Sequence, residues 1–128
     1  MGERLDQRAV PARHRNGCAY HAVSAQLRAE LAGQTDAAGR TFEIIDLPAP
    51  ATLTDAHGPV DWSYVNHLVV NGGVIACGFG EEQADATARS ILADAYPGRE
   101  VVTVDARGLF ARGGGIHCIT QQQPAAAA

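Results

Sequence analysis

The 128 residues carry 46% hydrophobic and 19% charged side chains, which suits one globular domain and is too apolar for a disordered chain. A net charge of −4 and a pI near 5.6 give no basic footprint for nucleic acid, and no apolar run approaches the roughly 18–20 residues of a membrane span. All ten basic residues are arginine, and Met1-Gly2-Glu3-Arg4 has no apolar stretch behind its charges, so a cytoplasmic chain without a secretory signal is expected.

Residues 1–16 hold four arginines and Pro11 with little periodicity, and read as a flexible leader. From there Tyr20, Val23, Leu27 and Leu31 recur at helical spacing, predicting an amphipathic helix over 18–32 that Gly33 ends. Residues 35–39 read as a loop. Phe42 to Leu47, with Ile44 and Ile45 inside it, predicts a short strand stopped by Pro48 and Pro50. Residues 48–62 are turn-rich.

Two apolar runs, Tyr64 to Val70 and Val74 to Ala76, flank Asn71-Gly72. That pair between β-branched runs predicts a hairpin whose central residues both tolerate positive φ. Glu81, Glu82 and Asp85 then sit where a helix start favours negative charge, and Ala84, Ala88, Ile91, Leu92 and Ala95 stripe one face over 82–95. Pro97-Gly98 stops this helix, and 100–104 reads as another strand. A glycine-rich turn, a short apolar segment from Ile116 to Ile119 and a tail at 125–128 complete the chain. The order is ββαβ plus the end of a preceding unit, an α/β (α+β) pattern.

Cys18, Cys77 and Cys118 form no CxxC and precede no paired histidines, so a zinc site has little support and three free thiols are expected. The densest segment is Gly113-Gly114-Gly115-Ile116-His117-Cys118. Consecutive glycines let a backbone approach a ligand, and a thiol beyond them can stand at a strand end. A nucleophilic Cys118 needs thiolate character from a cation, a helix N-terminus or a cationic substrate. His117 need not help, because neighbours on a strand point to opposite faces. The glycines lack the Gly-Lys-Ser/Thr ending of a phosphate loop. A metal held by His117 and Cys118 with His57 or His67 would need distant ligands to converge. No metal or cofactor is therefore expected, and the residues alone leave both a structural and a nucleophilic Cys118 open.

The run from Gly113 through Gln122, followed by Pro124, resembles the C-terminal catalytic signature of the agmatine deiminases, which stand with the bacterial-type peptidylarginine deiminases in the guanidino-modifying superfamily. Ser63-Tyr64-Val65-Asn66, Val70-Asn71-Gly72-Gly73-Val74-Ile75, Phe79-Gly80 with Asp85, and the Gly39-Arg40 to Pro50 stretch agree with it. The resemblance spans about 17–124. It implies the pentein (α/β-propeller) fold, a fan of ββαβ modules, here an incomplete fan of about one and a half modules. It makes Cys118 the nucleophile and Gly113, Gly114 and Gly115 the loop along the substrate.

The implied reaction converts agmatine, a small guanidino substrate, to N-carbamoylputrescine and ammonia through a cysteine–thiouronium intermediate, without metal or cofactor. The family's two acids and its His belong to earlier modules with no match here, so the chain reads as a truncated, C-terminal portion. Self-association or a partner chain carrying the missing modules is expected. The alternatives are a non-catalytic remnant or association module, or a protein-arginine deiminase. Three positions depart from the family pattern: Arg112 where a glycine is usual, His67 where an aromatic is usual, and Cys77 where proline is common.

Overall fold

The computed structural model describes residues 21–124 and, ahead of them, the backbone of two short strands. These strands, β1 (Arg8–Ala9) and β2 (Ala12–Arg13), pair in parallel with β3 (Glu43–Ile44) and β4 (Leu47–Pro48). Four residues of the expected leader are thus paired through the main chain with later strands. The rest of 1–16, the start of the 18–32 helix with Cys18 and Tyr20, and the 125–128 tail lie outside the described residues.

The first helix, α1, runs His21–Ala32. Its expected apolar stripe is not buried: none of its residues reaches the core, and Val23 and Leu27 are exposed. The expected 42–47 strand divides into β3 and β4 around Ile45-Asp46, where the Asp46 carboxylate turns out to pair with Arg28. Within the turn-rich stretch lies an unpredicted antiparallel ladder, β5 (Thr54–Asp55) with β6 (Gly58–Pro59).

The regular part of the molecule is the second unit. β7 (Leu68–Val70) and β8 (Gly73–Gly78) form the antiparallel hairpin expected around Asn71-Gly72, with Val70 opposite Gly73. Only Gly72 takes positive φ, +76°, so one left-handed residue makes the turn rather than two. The helix α2 (Glu82–Ala95) leads to β9 (Glu100–Asp105), which pairs with β8 in parallel from Gly73↔Glu100 to Gly78↔Asp105. The sheet order is β7-β8-β9, so this stretch is a ββαβ unit, as the spacing predicts.

Small residues on α2 let it lie close on the sheet. Ala88, Leu92 and Ala95 are buried with Val74, Ala76 and Val101, and Leu47 from β4 joins the same core. Leu92 is fully buried, so trimming it to alanine should cost about 2–5 kcal/mol. The predicted acids at the helix start have definite work. The Asp85 carboxylate accepts the Phe79 and Gly80 N–H groups and the Tyr64 hydroxyl, and Glu81 accepts the Ala51 and Thr52 N–H groups. Beyond β9 come α3 (Arg107–Phe110) and a 3-10 turn, His117–Ile119.

Candidate active site around Cys118

The first strand of the hairpin begins at Leu68, four residues later than its apolar run suggests. Residues 62–67 are instead a loop held by side chains. His67 is buried, with Nδ1 3.0 Å from the Tyr64 carbonyl oxygen and Nε2 3.1 Å from the Tyr96 hydroxyl. Burial holds this imidazole below its usual pKa, so its neutral form donates to the carbonyl and accepts from Tyr96. A histidine at this position is thus satisfied by two partners.

Asn66 is the hub of the loop. Its carboxamide oxygen accepts the His117 N–H at 2.7 Å, and its carboxamide nitrogen lies 3.0 Å from Cys118 Sγ. Its main-chain carbonyl accepts the Cys77 thiol at 3.0 Å. Sequence reading placed Asn66 only in a family-like stretch and assigned it nothing. Polar groups 51 and 52 residues apart carry no local periodicity, so only the tight glycines opposite hinted at a close neighbour.

Those glycines are required for three different reasons. Gly113 has φ +94°, a left-handed turn that side chains resist. A Cβ on Gly114 would lie 3.0 Å from the Cys118 Cβ and 3.3 Å from its sulfur, crowding the thiol. On Gly115 it would lie 2.5 Å from the Asn66 Cγ and 2.8 Å from Phe110, closer than atoms can pack. The bare backbone is what lets Asn66 reach the segment that carries the cysteine.

Cys118 itself is exposed, in a 3-10 turn rather than at the strand end the apolar segment suggests. The reason is local. Asn66 captures the His117 N–H, while the His117 carbonyl accepts both the Thr120 N–H and its hydroxyl, which coils the chain. Only Ile116 of this segment enters the core, and Ile119 is exposed.

The thiol is held below its ordinary pKa, first by the Asn66 carboxamide and then by the Gly115 and Cys118 N–H groups, against slight desolvation and, last, the charge of Asp61. Arg112 does not supply this; its guanidinium donates to the Gly108 carbonyl at 2.7 Å. Buried Cys77, by contrast, is pushed up to about 11.

Beneath the loop lies an aromatic stack, with Trp62 parallel to Phe79 at 5.0 Å and Phe110 edge-on to Phe79 at 5.2 Å. Beside it opens a cavity of about 570 Å³ lined by Asp55, His57, Asp61, Trp62, Phe110 and Arg112. Away from this cavity the Asp46 carboxylate is paired with Arg28 and that of Asp105 with Arg107. Among the described residues no three His, Cys, Asp or Glu side chains gather to hold a metal, and His57 and His67 are not brought to Cys118 as co-ligands.

Comparison with known proteins gives the family of the chain. The family model of the Porphyromonas-type peptidyl-arginine deiminases matches residues 7–124. A Streptomyces coelicolor protein named "Putative agmatine deiminase" is 54% identical over 95 residues, covering 73% of this chain and 28% of that protein. The agmatine deiminase of Pseudomonas fluorescens SBW25 is 44% identical over 113 residues, covering 74% of this chain and 30% of that protein. A solved agmatine deiminase of Enterococcus faecalis, described as catalysing its reaction, superposes with a TM-score of 0.82 at 25% identity, over 92% of this chain and 37% of that one. The chain therefore spans about 30% of the length of the curated relatives it matches.

Proposed function

The chain belongs to the Porphyromonas-type peptidyl-arginine deiminase family, with the pentein fold of its structural neighbours, and from that premise we propose that it is the nucleophile-bearing C-terminal part of an agmatine deiminase. The observation that carries the reading is the thiol. Cys118 is exposed on a glycine-flanked turn with the Asn66 carboxamide nitrogen 3.0 Å from its sulfur.

In the proposed reaction the Cys118 thiolate attacks the guanidinium carbon of agmatine. A proton passes to a terminal nitrogen, ammonia leaves, and the carbon remains bonded to sulfur as a thiouronium. Water then adds to that carbon, the C–S bond breaks, and N-carbamoylputrescine departs as the thiolate is restored. This is a step of putrescine formation, and a cytoplasmic location suits it. Gly113, Gly114 and Gly115 would form the loop along the substrate, with the missing side chain of Gly114 leaving the sulfur open.

Attack on a protonated guanidinium also needs carboxylates to hold the cation and a base to move protons. We assign those roles to modules outside residues 1–128, where the family resemblance places its two acids and its His. They would come from a partner chain or a longer chain. Val23 and Leu27 on α1 and Val102 and Val104 on β9 are exposed apolar residues that such modules would cover.

The test is ammonia release from agmatine by the 128-residue chain, alone and co-expressed with a fragment supplying the remaining modules. No turnover alone, restored turnover in the complex and its loss in Cys118→Ser are expected. Turnover of peptidyl-arginine but not agmatine would favour the protein-arginine deiminase reading. No turnover in either form with a folded complex would favour a non-catalytic association module.

A further inference from the structure

Beyond the deiminase reading, we propose that Cys77 is a resolving thiol for Cys118: after peroxide oxidises the exposed sulfur, the buried one closes a reversible disulfide with it. Both are free cysteines, one buried on β8 and one exposed on the 3-10 turn. A single residue joins them. The Cys77 thiol donates to the Asn66 main-chain oxygen at 3.0 Å, and the Asn66 carboxamide nitrogen lies 3.0 Å from the Cys118 sulfur. The span of one asparagine therefore puts the two sulfurs within about 11 Å of each other. The Ile116 N–H also bonds the Cys77 sulfur, which places that sulfur at the root of the turn, two residues before Cys118.

A disulfide needs Cα atoms within about 7 Å, so the turn has to fold inward. Little resists that. The turn is three residues long with none of them buried, and its Ile119 N–H reaches the Ile116 carbonyl only at 3.4 Å. Gly113 and Gly114 precede it and give the backbone freedom to swing, while 121–124 form no helix or strand. Cys77 stays in place, paired with Val104 in the β8–β9 ladder. Proline, common at this position in the family pattern, has no thiol to offer; the departure here supplies one.

The chemistry balances with hydrogen peroxide as the oxidant. The Cys118 thiolate attacks one peroxide oxygen, the O–O bond breaks, hydroxide leaves, and the sulfur becomes a sulfenic acid. The Cys77 sulfur then gives up its proton and attacks the Cys118 sulfur. The S–O bond breaks, water leaves, and the S–S bond forms. The order of events follows from the two environments. Cys118 is exposed and held below its ordinary pKa, so peroxide meets it first, while buried Cys77, pushed up to about 11, survives as the thiol. The disulfide masks the nucleophile and spares it the irreversible step to sulfinic acid.

The test needs no substrate. The full chain, dilute, is treated with a slight excess of hydrogen peroxide, and its thiols are blocked and mapped as peptides without reduction. A peptide linking Cys77 to Cys118 should account for most of the Cys118 lost. Dithiothreitol should then restore Cys118 alkylation at least about tenfold better in the parent than in Cys77→Ser, whose Cys118 goes on to sulfinic acid. Cys77→Ser keeps a donor for the Asn66 carbonyl, and circular dichroism checks its fold. Cys18→Ser, at a position outside the described residues, should form the same bridge. Sulfinic acid at Cys118 in the parent, or a bridge to Cys18 or to a second chain, would overturn the proposal, and the parent's map decides this even if Cys77→Ser does not fold. Failure of agmatine turnover would count against the deiminase reading alone.

Discussion

Cys77 and Cys118 bond to the same residue and emerge with opposite chemistry. Cys77, on β8, donates its S–H to the Asn66 carbonyl inside the core and is pushed up to about 11, chiefly by burial. Cys118, on an exposed 3-10 turn, accepts from the Asn66 carboxamide and is pulled down. The difference teaches that distance to a polar residue does not make a thiol reactive. What matters is which end of the polar residue it meets and whether water can reach the charge.

The largest expected effect tests that contrast directly. At pH 8 a thiol near 11 is about one part in a thousand thiolate, and burial blocks reagent as well. Iodoacetamide should therefore label Cys118 at least about 100-fold faster than Cys77, read by peptide mapping of the two sites. Equal rates would erase the distinction and leave Cys118 an ordinary surface thiol.

A second effect follows from the tight approach that joins the two cysteines. Gly115→Ala would drive a methyl group into the Asn66 carboxamide and the Phe110 ring, a rigid neighbour on one side. Overpacking of this kind costs about 1–3 kcal/mol, measurable as a lower urea midpoint. The labelling preference for Cys118 should fall with it, since the carboxamide must leave the sulfur. A variant of unchanged stability and labelling would show that the loop yields without moving Asn66.

How much of this was legible in the sequence divides along the same line. The hairpin at Asn71-Gly72, the helix over 82–95 and the following strand follow from local periodicity and turn chemistry, and the structure has them at almost the expected bounds. The glycine run and Cys118 were visible as a motif. What was not legible depends on partners far apart in the chain: the coil at 117–119, the late start of β7 and the role of Asn66 are set by contacts between residues near 66 and near 117. The exposed stripe on α1 was misread for a related reason, because spacing shows that a face is apolar and not what covers it.

Alkaline titration sharpens the comparison further. The chain has no lysine, so between pH 9 and 11 cysteine and tyrosine dominate. Cys77 and Tyr64 are both raised in the folded state by burial, and Tyr64 also by its bond to Asp85. A raised folded pKa gives stability that is complete below the unfolded value and lost as pH climbs toward the folded one. The urea midpoint should therefore decline from about pH 9 upward, and Cys77→Ser, which keeps a donor for the Asn66 carbonyl, should make that decline shallower. An identical decline would assign the whole effect to tyrosine.

The smallest expected effect concerns Asp61, whose charge opposes the Cys118 thiolate without any bond between them. Both groups are exposed, so water and ions weaken the repulsion. Asp61→Asn should speed Cys118 alkylation at pH 7 by less than about threefold at low salt, and the gain should vanish near 1 M salt, where the screening length is about 3 Å. Asn66→Ala, which should slow the same alkylation, should behave differently, because a direct contact of 3.0 Å leaves no room for a screening ion between donor and sulfur and should keep its effect in salt. Salt thus separates the two influences on one sulfur: a distant carboxylate that fades with screening, and an adjacent amide that does not. If the Asn66 and Asp61 effects fell together as salt rose, the amide would be acting as diffuse field rather than as a donor to sulfur.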